Sequence, residues 1–209
     1  MNSRTGLVRR GLYLESLTIA WNFLEAVAAI VSGLMAGSVA LMGFGLDSMI
    51  EMGAGTVLIW RLRSDSDNGR RERVERISLR MVGVSFFALA AFVAWESVSS
   101  LRSHEVPSRS RLGILVAVAS LVVMPLLARA KRRVAAELNS RALHADSRQT
   151  SLCAYLSAIL LGGLTLNAVF GWWWADPIAG LGMVPLILKE GADAIQGKTC
   201  ACAEIGSHE

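Results

Sequence analysis

Charged side chains are scarce in this chain: Asp, Glu, Lys and Arg make up 18% of its 209 residues, against 53% hydrophobic residues and a mean hydropathy of +0.46. A soluble domain of this size carries more charge and shorter apolar runs, so a soluble globular protein is excluded. Cysteine is scarce as well. Cys153 lies inside an apolar run, and Cys200 and Cys202 lie near the C-terminus, so no disulfide framework is implied. No cleavable signal peptide is expected, because the first apolar run has no small-residue cleavage site and carries Glu15 and Glu25. Neither a nucleophile–base pair nor a Gly-rich phosphate loop is present. The expectation is therefore a protein that is not an enzyme and uses no organic cofactor.

What fills the chain instead is a series of long apolar runs separated by short charged segments. A helix crosses the bilayer core with roughly 20 apolar residues. Six stretches qualify, at about Leu12–Ala36, Val39–Trp60, Met81–Leu101, Leu112–Ala128, Ser151–Phe170 and Trp172–Leu188. These predict an all-α membrane protein: a six-helix transmembrane domain over residues 1–195 and a short tail over 196–209. Basic residues set the orientation of such a bundle. Three precede the first span, seven lie between the second and third, six between the fourth and fifth, and two follow the sixth, which places 18 of 21 on one side. Both termini are thus expected to be cytoplasmic. The pI of 9.3 follows from this topology, and nucleic-acid binding is not expected, because the basic residues flank hydrophobic spans. Trp172, Trp173 and Trp174 fall on the outer side, where indoles anchor at the membrane interface.

Ionisable residues inside a span are costly, and each is a functional candidate. Glu15, Thr18, Asn22 and Glu25 follow one another at steps of three, four and three, on one face of the first helix. Asp47 and Glu51 are one i,i+4 step apart near the midplane of the second. Two carboxylates about 6 Å apart on one helix face, with no Lys or Arg inside the spans, leave protons or a metal cation as the compensating charge. A pair of hydrogen-bonded acids that merely fixes helix packing is the alternative, although one Ser or Asn does that at lower cost. Glu15, Glu96 and Asp176 lie near helix ends, and structural or interfacial roles are expected for them. Gly33 and Gly37 form a GxxxG pattern, and Gly43, Gly45, Gly53 and Gly55 surround the acids, which indicates close helix packing.

Four segments in order carry a resemblance. They are Gly37-Ser38-Val39-Ala40-Leu41 followed by Asp47-Ser48-Met49-Ile50-Glu51, then Trp95-Glu96-Ser97-Val98, then Ser140-Arg141-Ala142-Leu143-His144-Ala145-Asp146, and finally Asp176-Pro177-Ile178-Ala179-Gly180. Together they resemble the transmembrane domain of the cation diffusion facilitator (cation efflux) family, from about Glu15 to Glu190. The resemblance implies a divalent-metal site between the second and fifth helices. Where the family has His-x-x-x-Asp on the fifth helix, this chain has Gln149 and Cys153. A thiolate is a good soft ligand and replaces the carboxylate, whereas Gln149 is a poor substitute for imidazole. The implied site is Asp47, Glu51 and Cys153, with Gln149 as a weak ligand or neighbour. His144 falls five residues early and reads as an exposed histidine.

The family's cytoplasmic metal-binding domain has no counterpart in the short tail. Some relatives also lack that domain, among them small vesicle-membrane zinc proteins, which the chain resembles through its Asp-x-x-x-acid helix. The tail thiols Cys200 and Cys202, with His208 nearby, read as reduced cysteines, since a one-residue spacing is not that of a zinc knuckle. By linear counting Cys153 lies near the cytoplasmic end of its span and Glu51 deeper, so the two meet only if the fifth helix starts before Ser151 or the inner leaflet opens into a cavity. The resemblance implies a homodimeric secondary transporter in the plasma (inner) membrane. It exports a divalent transition metal, zinc foremost, with Cd, Fe, Mn or Co as alternatives, in exchange for protons. A non-transporting metal sensor and a purely structural membrane protein are the rival expectations.

Overall fold

A computed structural model describes residues 2–63, 68–104, 107–138 and 140–196. Over these residues the chain is all α-helical: α1 (Asn2–Ala36), α2 (Val39–Arg63), α3 (Asn68–Ser103), α4 (Arg111–Leu138), α5 (Arg141–Phe170) and α6 (Ala175–Gln196). The tail with Cys200, Cys202 and His208 lies outside the described residues. Four of the six helices are long and apolar enough to cross a membrane, over Thr5–Ala36, Gly83–Ser103, Arg111–Leu138 and Asp146–Phe170. The expected spans in α2 and α6 do not reach that standard. Their apolar stretches are diluted by Asp47, Glu51 and four glycines in α2, and by Asp176, Lys189, Glu190 and three glycines in α6.

The distribution of side chains is that of an integral membrane protein. Large apolar residues such as Met35, Trp95, Leu115 and Val169 face outward, while Glu15, Glu25, Asp47, Glu51 and Asp176 are buried. A lipid solvent permits this, since it solvates the apolar exterior and offers nothing to a carboxylate. Inside, Phe44, Phe86, Val93, Met124, Leu156 and Met183 form the apolar core. α1 packs on α2 and α4, α4 on α5, and α3 on α6, with α2 also touching α3, α5 and α6.

Local chemistry sets the helix ends. Gly37 turns the chain from α1 into α2 at φ 63°, a conformation that favours glycine. The GxxxG pair therefore divides its labour: Gly33 is the contact, where an added Cβ would lie 2.8 Å from Met42 Cγ, and Gly37 is the turn. Ser38 then accepts from the Leu41 amide at 3.2 Å and donates to Asp176 at 2.5 Å. Asp176 also accepts from the amides of Val39 (2.9 Å) and Ala40 (3.5 Å). Its carboxylate thus caps α2 from α6, where the helix dipole favours negative charge. The role is structural, as expected, but the residue is buried and out of reach of the headgroups.

α5 begins ten residues before the expected Ser151, at Arg141, with Ser140 as N-cap accepting from the Leu143 amide at 3.4 Å. α6 begins at Ala175, and Trp172 to Trp174 form the connection, with Trp172 stacked on Trp174 at 4.9 Å between ring centroids.

The expectation that no Lys or Arg enters the spans is overturned at Lys131. α4 continues beyond Ala128 to Leu138, and its buried stripe of Ser120, Met124, Leu127 and Ala128 carries on through Lys131 to Val134 and Ala135. Lys131 is fully buried, with its ammonium 2.5 Å from Asp146 of α5 and 3.0 Å from Glu15 of α1. It also donates to Thr150 at 3.3 Å. Glu15 is accordingly not interfacial. Gly55 of α2 leaves it room, since a Cβ there would strike its Oε1. Nearer the surface, Arg148 lies 3.5 Å from Asp193.

Removing one member of a buried ion cluster strands the rest. Lys131→Met is expected to cost about 3–5 kcal/mol, read as a lower melting temperature in detergent by circular dichroism. Adding Glu15→Gln and Asp146→Asn should restore most of the loss, and no recovery would mean that Lys131 acts through packing alone.

Candidate metal centre

Asp47 and Glu51 sit one turn apart on α2, and the early start of α5 carries Cys153 to their level. Cys153 lies twelve residues into α5, about 18 Å from its N-terminus at 1.5 Å per residue. The depth mismatch expected from a helix starting at Ser151 is thereby removed. A carboxylate oxygen from each acid and the Cys153 sulfur all lie within 4.8 Å of one another, and all three residues are buried. Ser157 donates to the Cys153 carbonyl at 2.7 Å and Ser48 to that of Phe44 at 3.1 Å, so these buried hydroxyls are satisfied within their own helices.

Gln149 stands one turn before Cys153. It is buried, and its Nε2 makes no hydrogen bond among the described residues. His144, half-buried rather than exposed, is nine residues before Cys153 and is not part of the trio.

The surroundings are polar but short of partners. Among the described residues, neither Glu51 oxygen makes a hydrogen bond, although Asn22 and Thr150 stand beside it. Both amide atoms of Asn22 likewise have no hydrogen-bond partner among the described residues. Glu25 of α1 accepts from Ser120 at 2.7 Å, and its Oε1 also accepts from the Cys153 thiol at 3.7 Å. Ser120 in turn accepts from the Trp21 indole at 3.3 Å. Among the described residues, no ion pair involves Asp47, Glu51 or Glu25, and Lys131 is paired with Glu15 and Asp146. Two carboxylates and a thiol buried inside the bundle form a donor set suited to a borderline-soft cation such as zinc.

The Asp47, Glu51 and Cys153 grouping was legible in the sequence. Glu25 was seen only as one member of a polar face, and its approach to Cys153 requires the helix packing. Lys131 was hidden in the basic run Arg129 to Arg133, although its phase with Ser120, Met124 and Leu127 marks it as inward-facing.

Residues 16–196 match the family model described as the cation efflux transmembrane domain. Similar proteins include an uncharacterized transporter of Synechocystis sp., 29% identical over 153 residues, or 70% of this chain and 49% of the relative. Cation-efflux pump FieF of Escherichia fergusonii is 28% identical over 174 residues, covering 77% and 56%. Transmembrane protein 163 of Xenopus laevis is 23% identical over 184 residues, covering 88% and 65%. The chain thus spans between about half and two thirds of the length of these relatives.

Two substitutions test the centre. Asp47→Asn is expected to abolish zinc binding in isothermal titration, and wild-type affinity in that variant would reject the assignment. Cys153→Ser is expected to weaken Zn²⁺ and Cd²⁺ more than Mn²⁺, since thiolate favours the softer ions; equal losses for all three would mean that Cys153 acts through packing.

Proposed function

The chain belongs to the cation efflux transmembrane domain family, and from that premise we propose that it is a secondary transporter carrying a divalent transition-metal cation, zinc foremost, out of the cytoplasm in exchange for protons. The observation that supports this reading is the gathering of two carboxylates from α2 and a thiol from α5 within 4.8 Å, buried in the bundle and with no ion pair among the described residues. In the cycle, deprotonated Asp47, Glu51 and Cys153 take the ion when the site opens to one side. Protons replace it when the site opens to the other, because metal binding and proton release are linked at such ligands. Gln149 contributes its amide oxygen weakly or borders the site. No covalent step is needed, and the chain is not read as an enzyme.

Six passes with both termini in the cytoplasm, residence in the plasma (inner) membrane, and a homodimer complete the proposal. It rests on the charge asymmetry of the loops and on the family. Cd, Fe, Mn and Co remain alternative cargoes, since the donor set ranks soft over hard ions without singling one out. A second reading is favoured by one residue. Gln149 stands where the resemblance expects imidazole, and a site weakened there suits a protein that binds metal as a sensor or partner-modulator without moving it.

Purified chain in proteoliposomes with an imposed pH gradient separates the two readings. Transport predicts zinc accumulation that follows the proton gradient and is lost in Asp47→Asn. Zinc binding with no flux above empty liposomes would establish the sensor in its place.

A further inference from the structure

A site of two carboxylates and one thiolate is one ligand short of the four that a closed zinc shell takes. Gln149, at the position where the resemblance expects imidazole, is a weak candidate for the fourth. The structure brings a better one from a different helix. Glu25 of α1 is buried, and its Oε1 lies 3.7 Å from the Cys153 sulfur. A tetrahedral zinc with Zn–S near 2.3 Å and Zn–O near 2.1 Å sets sulfur and oxygen about 3.6 Å apart. The observed separation matches the edge of such a tetrahedron, while Glu25 stands outside the trio whose ligand atoms all lie within 4.8 Å of one another, so ligation requires its carboxylate to move toward α2. As it stands, this contact is a hydrogen bond that the Cys153 thiol donates to Oε1, and loss of that proton on metal binding frees both atoms for the ion.

The second oxygen carries the case further. Glu25 Oε2 is buried and makes no hydrogen bond among the described residues. An acceptor for Ser120 needs only one oxygen and no charge, so a Gln would serve; a carboxylate with an idle buried oxygen is costly unless a cation completes it. Ser120 and Trp21 form a relay that ends on Glu25, with Trp21 donating to Ser120 and Ser120 donating to Oε1 at 2.7 Å. Outer partners of this kind orient metal ligands.

We infer that Glu25 is a fourth ligand to the ion held by Asp47, Glu51 and Cys153, so that α1 closes a coordination shell begun by α2 and α5. The inference rests on the metal-site reading above and extends it to a third helix. Coordination then depends on where α1 stands relative to α2 and α5, so loading the site fixes the spacing of three helices. The specificity consequence is direct: three carboxylates and one thiolate make a shell that is more anionic and harder than one with imidazole, and it discriminates less sharply against Mn²⁺ and Fe²⁺.

Cobalt absorption on the full chain in detergent tests this without transport. Wild type is expected to show a thiolate-to-cobalt band and strong d–d absorption of a four-coordinate ion. Glu25→Gln should keep the thiolate band, lose d–d intensity and bind Co²⁺ at least about ten-fold more weakly. Glu25→His supplies another good ligand and should recover four-coordinate intensity with a shifted envelope. If Glu25→Gln keeps both wild-type affinity and wild-type d–d spectrum, Glu25 is not a ligand, while the trio stands. A thiolate band absent from wild type, or unchanged in Cys153→Ser, rejects the trio and this inference with it. Should Glu25→Gln fail to fold by circular dichroism, Glu25→His decides alone: a shifted envelope supports the inference and an unchanged one overturns it.

Discussion

The interior of this bundle is governed by buried negative charge that lipid cannot solvate. Each carboxylate taken out of water must meet a cation, a proton or a set of donors. The protein meets that demand in two layers. One contains Glu15, Asp146 and a cation of its own in Lys131. The other contains Asp47, Glu51, Glu25 and Cys153, with no ion pair among the described residues. Along α5 the layers are seven residues apart, from Asp146 to Cys153, which is about 10 Å; along α1 they are ten residues apart, from Glu15 to Glu25, which is about 15 Å. The contrast between them is informative. In one layer the fold supplies a lysine; the other is the layer to which the proposed transport assigns a cation or protons.

Packing serves the same arrangement. α1 and α2 approach closely because Gly33 and Gly45 have no side chain at the contact, and a Cβ at Gly45 would lie 2.7 Å from Ile30. That approach sets Glu25 and Asn22 against the acids of α2. Asp176 fastens the start of α2 to α6 through Ser38 and two backbone amides, fixing the helix that carries Asp47 and Glu51. The ionic layer ties α1, α4 and α5 together near the other end of the bundle. The open layer is thus bordered by firm contacts on both sides, as a site needs if its ligands are to be held in register.

Much of this was legible in the sequence. The i,i+4 acids in an apolar run signalled themselves, because the hydropathy of α2 offers no other reason for them. Cys153 followed from its place after Ala145-Asp146. What escaped was set by helix ends and helix phase. The start of α5 depended on a Ser140 cap within a charged segment that hydropathy counts as loop. Lys131 was assigned to the membrane surface by its basic neighbours, and only the continuation of α4 to Leu138 turns it inward. Glu25 shares a face with Glu15, but spacing along one helix cannot tell that one of them meets a lysine and the other a thiol.

A buried site whose charge is balanced by a mobile divalent ion is the core of this account, and the ligands are distinct enough to be seen directly. Zinc-edge X-ray absorption on the purified, zinc-loaded chain reads the shell atom by atom. The account predicts a four-coordinate ion with one sulfur at about 2.3 Å and oxygen neighbours at about 2.0–2.2 Å. A shell of oxygen and nitrogen alone, with no sulfur, would contradict it.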